Sequence, residues 1–204
     1  AVSVALNHAV DMDLIPNNPL ASIKRVKEEP EERRIFQREE LGKLFSVEWT
    51  DSRCFAACML AAETGMRLGE VRGLKVKDLH LEDGYLEVVS NYVEREGLKA
   101  PKWNSVRTIK KGNAPFVSPR CAMALKKVVS DASKRWGGSP EDFVFFNIKN
   151  RDVPIAILTI RKALDKAMKK AEIPTDRTFH SFRHSWVTHA MGVLPSHVIS
   201  QSIG

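Results

Sequence analysis

The sequence predicts an α+β domain, mainly helical, with one small antiparallel sheet near its beginning. Three observations carry that expectation. Apolar residues recur at helical spacing through most of the 204 residues. One stretch, "DLHLEDGYLEVVS", instead alternates on either side of Asp83-Gly84, the strongest hairpin signal in the chain. There are no internal repeats or low-complexity tracts to indicate a solenoid or a disordered chain. With 43% hydrophobic residues the chain can bury a real core.

The opening "AVSVALNHAVDMDLIPNNPLASI" reads as a final helix followed by a turn. Val4, Leu6, Val10 and Leu14 roughly share a face, and "IPNNP" closes it. Residues 1–23 are too few to form a core and read as the tail of a preceding domain or as a packing arm. Residues 24–34, dense in both charges and holding a proline, read as a solvated linker.

The compact domain is expected over residues 35–204. Helical period runs from Glu39 to Phe45, then from an Asp51 cap to Glu63. Gly65 breaks the second helix, and "RLGEVRGL" begins a short third one. After the hairpin come strand-like pieces around Lys99 to Ile109 and at "APFVS". Ser118 caps the next helix, with Pro119 at its first position. "AILTIRKALDKAMKKAEIP" is another amphipathic helix, stopped by Pro174. "RTFHSFRHSWVTHAMG" is a helix closed by Gly192, and "LPSHVISQSIG" begins one more.

A net charge of +7 points to a polyanion, nucleic acid ahead of an acidic membrane surface. Cys54 and Cys58 stand at i, i+4 in an apolar helical run, which makes them core residues. Three thiols and no signal peptide imply a reducing cytoplasm. No apolar stretch approaches a membrane span.

His180, Arg183, His184 and His189 crowd one helix. His180 and His184 at i, i+4 could share a zinc ion, but Ser181 stands where the hydrolytic helix motif needs glutamate. No acidic residue follows Asp176 to complete a ligand set, so no metal is expected. Phe182, Trp186 and Ala190 suit a core-facing side, and His189 suits surface or packing. His180 and Arg183 lie one turn apart and suit an anionic oxygen, with phosphate the natural target.

At these residues the chain resembles the tyrosine recombinases, the phage-integrase family. "TGMRLGE", Thr64 to Glu70, matches the family's first arginine box, and His180, Arg183 and His184 match His-x-x-Arg-His. Between them "PKWNSVRTI" supplies Lys102, Ser105 and Arg107 at the spacing of the family's hairpin lysine stretch, with Trp103 replacing a threonine. The three pieces stand in the family's order. The resemblance covers roughly Arg34 to Gly204, and the opening segment resembles the end of the family's core-binding domain.

The resemblance implies the catalytic-domain fold of that family and attack of a tyrosine on a DNA phosphodiester. Arg67 and Arg183 are then expected to stabilise the phosphorane and Lys102 to protonate the leaving 5′-oxygen. His180 would accept a proton or hold phosphate, with Glu70 and His184 supporting. No cofactor is expected. The expected partners are double-stranded DNA and, at full length, three further copies of the protein on DNA. The expected location is a prokaryotic cytoplasm, at the nucleoid.

The nucleophile is expected beyond Gly204, because Tyr85 reads as a strand packing residue and Tyr92 as a surface one. Residues 1–204 are therefore expected to be inactive alone, a catalytic domain truncated before its tyrosine. Three rivals remain open at this point. One is a DNA-binding relative that does not cleave, a relic or decoy. The others are a type IB topoisomerase-like enzyme and, more distantly, a metal-dependent hydrolase.

Overall fold

A computed structural model describes residues 2–23, 34–101, 105–110 and 116–203, with Gln201 and Ser202 described in backbone only. The chain divides into two units, Ala1–Glu32 and Arg33–Gly204. In the first, α1 (Val2–Asp11) carries no buried residue. It closes before the prolines, where Asp13 adopts a left-handed φ of 55°. Asn18 ties the following turn together: its amide donates to Asn7 and Ser3, and its carbonyl accepts from the Leu20 amide at 2.9 Å.

The second unit begins with α2 (Arg38–Ser46) and α3 (Ser52–Thr64). Asp51 caps α3, accepting from the Arg53 amide at 2.9 Å. Cys54, Ala56, Ala57, Cys58, Leu60 and Ala61 are all fully buried, so α3 forms the centre of the unit. Small side chains dominate there because three other helices close on it: α5 (Pro119–Trp136), α6 (Ile157–Lys170) and α7 (Phe179–Met191). The cysteines are thus core residues, and burial pushes the Cys54 thiol up to about 12.

The α5 start is fixed twice. Ser118 caps it through the Cys121 amide at 3.2 Å, and the Glu63 carboxylate accepts from the Ser118 amide and hydroxyl at 2.6 and 2.7 Å. The short helix α4 (Leu68–Gly73) follows α3 and packs on strand β3 (Asn91–Val93). A methyl group on Gly69 would collide with the Asn91 side chain, so glycine sets how closely they pack.

Strands β1 (Leu79–His80), β2 (Tyr85–Val88) and β5 (Arg107–Lys110) form an antiparallel sheet in the order β1-β2-β5. Leu86, Val88 and Ile109 face inward and are buried. This is the hairpin read from the sequence, with Gly84 in its turn at φ 73°. The strand-like piece from Lys99 to Ile109 divides between two sheets. β4 (Gly97–Lys99) pairs with β3, whereas β5 pairs with β2.

At "APFVS" the described residues Phe116 to Ser118 form no strand. Phe116 and Val117 are buried as the chain bends into the α5 cap. Phe143 to Phe146 had no legible period. All four are buried, joined to the rest by single bridges, Lys75 to Phe143 and Phe146 to Pro154. The chain ends in α8 (Ser196–Ile203). Among the described residues no helix is long and apolar enough to cross a membrane.

Gly65 ends α3 in the left-handed region, φ 69°, and a β-carbon there would lie 3.0 Å from the Trp186 ring. The indole is fixed from its other side by its N–H on the Glu63 carbonyl at 2.9 Å. Gly65→Ala is expected to lower unfolding free energy by at least about 1–2 kcal/mol from backbone conformation alone, with the ring contact adding to it. Urea denaturation of the two proteins checks this, and equal midpoints would refute it.

Candidate active site

The site is built around a buried carboxylate. Glu70, in α4, is 1% exposed, and two arginines share both of its oxygens. Arg67, at the N-cap of the same helix, donates its backbone amide to Oε2 and its Nη1 to Oε1, each at 2.9 Å. Arg107, at the start of β5, donates Nη1 to Oε1 at 3.1 Å and Nη2 to Oε2 at 2.8 Å. Burial alone would raise the Glu70 pKa. The bonds and charge of Arg107, with those of Arg67, more than offset this and hold it below the ordinary value.

Arg183 enters from α7. It is 9% exposed, and its Nη1 donates to the Gly65 carbonyl at 2.9 Å, beside the first arginine box. Its Nη2 donates to the Ile203 carbonyl at 3.0 Å, and Nη1 of Arg67 reaches the same oxygen at 3.3 Å. Two guanidinium groups therefore converge on one point. Burial, then the nearby Arg67 charge, pull the Arg183 pKa down to about 10. It stays protonated at neutral pH. Three guanidinium groups around one carboxylate leave excess positive charge, which suits an anion.

His180 is exposed on the first turn of α7, and its ring meets His184 edge-on with centroids 4.5 Å apart. His180 also lines, with Leu68, Phe179 and Arg177, an open cleft of about 500 Å3. His189 has a different setting, its pKa lowered by burial and by Arg38. Among the described residues no three His, Cys, Asp or Glu side chains gather as a metal site.

The structure thus brings Arg67, Glu70 and Arg183 together and sets His180 beside His184. Lys102 and Trp103 lie outside the described residues. Arg107 was visible in the sequence only as part of the lysine stretch, without a role. The signal that could have found it is a buried acid in the first box that needs more than one cation. Tyr92 is half-buried. Its ring lies under the Arg72 guanidinium at 4.8 Å and edge-on to Phe143 at 5.9 Å. Tyr85 stacks on His80 at 4.3 Å.

Because the folded Glu70 pKa lies below the ordinary 4.5, the stability from its pairing is complete above that pH. It is lost as pH falls through the lower, folded value. Glu70→Gln removes this dependence. Denaturation midpoints of the two proteins, measured from neutral to about pH 3, are expected to converge with acid. A constant gap would contradict the assignment.

Comparison with known proteins shows the family and the fold. The phage integrase family matches residues 34–202. Similar curated proteins include the tyrosine recombinase XerD of Halalkalibacterium halodurans, 29% identical over 132 residues, which are 63% of this chain and 37% of that protein. XerA of Pyrococcus furiosus is 29% identical over 154 residues, 75% of this chain and 46% of that protein. The chain thus spans half or less of the length of these two relatives.

Among solved structures, the Tn1549 transposon integrase in complex with transposon right end DNA aligns with a TM-score of 0.77 and 19% identity. The match covers 99% of this chain and 68% of that one. The XerA recombinase crystal structure aligns at 0.64 and 22% identity, over 87% and 57%. These likenesses show the shared catalytic-domain fold. With the family match running from residue 34 to residue 202, the chain belongs to the phage integrase family, the tyrosine recombinases.

Proposed function

We propose that residues 35–204 are the catalytic domain of a site-specific DNA recombinase that breaks and rejoins strands through a 3′-phosphotyrosine. The observation that carries this reading is the convergence of Arg67 and Arg183 on a single oxygen, that of Ile203. Two fixed guanidinium groups that can bond one oxygen can stabilise the charge of a pentacoordinate phosphorane without changing protonation.

In the reaction, a tyrosine hydroxyl attacks the phosphorus and the bond to the 5′-oxygen breaks. Lys102, on the strength of its place in the motif, gives that oxygen its proton. His180 accepts the tyrosine proton or holds a phosphate oxygen, and His184 supports its ring. The phosphotyrosine ester preserves the diester's energy, so a 5′-hydroxyl of a second strand rejoins the DNA by the reverse step.

Both tyrosines within residues 1–204 have other work, under Arg72 and on His80. We place the nucleophile after Gly204. In support, the Ile203 carbonyl accepts from both arginines, which brings the end of α8 to the proposed phosphate site. Residues 1–23 are read as the end of a core-binding domain, and double-stranded DNA as the partner. A lambda integrase of the same fold, TM-score 0.59, is known as a tetramer bound to a Holliday junction, which supports four copies on DNA here. The ring packing of both tyrosines, on Arg72 and His80, favours a second reading for residues 1–204 alone: this fragment holds duplex DNA without cutting it. Duplex affinity that falls steeply with salt, and no detergent-stable adduct, is the result expected of that fragment. An adduct would place a nucleophile inside residues 1–204.

In the protein carrying its tyrosine, Arg67→Ala and Arg183→Ala are each expected to slow cleavage of a nicked duplex by about 10²–10³-fold, with much of the DNA affinity kept. Near-normal cleavage by either would refute the site. Lys102→Ala is expected to regain cleavage on DNA with a 5′-bridging sulfur, whose leaving group needs no proton. Such rescue of Lys99→Ala instead would reassign the acid.

A further inference from the structure

Arg107 is a buried cation to which the reaction above gives no task. Its side chain is 7% exposed, and both Nη atoms bond Glu70. Each oxygen of Glu70 carries one bond from Arg107 and one from Arg67, so the carboxylate plane is set from two sides. Were Arg107 missing, the carboxylate would be held only from within its own helix turn. It could then rotate and take the Arg67 guanidinium with it.

The placement of β5 does not depend on this pair. Backbone pairing of Val88 to Arg107 and of Leu86 to Ile109 already fixes the strand, and Ile109 buries its side chain beneath it. The guanidinium therefore contributes orientation in addition to what the strand has without it. It contributes at a telling place, because Arg107 heads the strand that follows the stretch containing Lys102.

We propose that Arg107 is a positioning residue for strand cleavage: it holds the Glu70 carboxylate, and so the Arg67 guanidinium, in the geometry that meets the scissile phosphate. It also links the arginine pair to the strand that follows the lysine. The inference rests on the recombinase reading above. The lower Arg183 pKa, to which Arg107 contributes, agrees with its closeness to the pair. A lysine in its place would keep the charge but lose the planar fork, so the two properties can be separated.

The test uses the full-length protein with its tyrosine and a nicked duplex carrying its recombination site. Single-turnover cleavage, DNA affinity and thermal midpoint are measured for R107Q, R107K, E70Q and the E70Q/R107Q double variant. R107Q is expected to slow cleavage about a hundredfold, the cost of a misplaced reacting group, with DNA affinity nearly unchanged. R107K is expected to be slowed by about tenfold, because one point charge cannot hold both oxygens. The double variant is expected to cleave no more slowly than E70Q, since Arg107 acts through Glu70.

Wild-type rates in R107K, or losses that multiply in the double variant, would overturn the proposal. So would slowing that tracks a loss of DNA affinity. If R107Q does not fold, R107K and E70Q, compared at matched thermal midpoints, still decide it. R67A serves as the separate control. If R67A cleaves normally, the recombinase site itself is wrong; if R67A is dead while R107Q and R107K are normal, only the role of Arg107 falls.

Discussion

The site depends on one buried carboxylate. Taking an ionised glutamate out of water is costly, and the cost is tolerable only when cations and donors replace the lost hydration. Glu70 has that replacement in full: a backbone amide, one bond from Arg67 and two from Arg107. The consequence reaches beyond one ion pair. α4 has its first turn closed by this carboxylate, and β5 is bound to α4 through it. Arg67 is thereby held as a rigid donor on a six-residue helix that could not hold it alone.

The same economy appears where α3 ends. Gly65 turns the chain in the left-handed region, seats the Trp186 ring, and offers its carbonyl to Arg183. One residue thus ends the central helix, packs against α7 and orients the second guanidinium of the pair. The two arginines come from residues 67 and 183, far apart in sequence. Their encounter is enforced by α3 packing on α7, and the segment before α2 holds α7 from a further direction, with Phe36 stacked on Phe182 at 4.7 Å. The charge of the site is therefore placed by an apolar core.

Much of this was legible in the sequence, for reasons that are local. The Asp51 cap, the Gly65 stop, the Ser118-Pro119 start and the Asp83-Gly84 turn each follow from the chemistry of one or two residues. Arg67, Glu70 and Arg183 were legible through the order of their motifs. What stayed hidden needs contacts between distant segments. The division of Lys99 to Ile109 between two sheets is set by partners, β3 and β2, that alternation cannot name. Phe143 to Phe146 are buried on every side and so carry no period. Tyr92 is half-exposed, and what the sequence does not give is its ring contact with Arg72, itself buried against the Ile155 carbonyl at 2.9 Å. Arg107 is the functional counterpart of these: its partner lies 37 residues back.

The Ile203 carbonyl shows what the arginine pair prefers. It is a neutral acceptor, and a charge-assisted bond from a guanidinium to an anionic oxygen is roughly twice as strong. With Arg183 bonded at Gly65 and Arg67 bonded at Glu70, neither guanidinium must reorganise to exchange that carbonyl for a phosphoryl oxygen. Preorganisation of this kind is where electrostatic stabilisation of a transition state gains most, because the dipoles are already aimed when the charge develops. On the recombinase reading proposed above, the same two side chains would both bind the phosphate and set the geometry of attack on it.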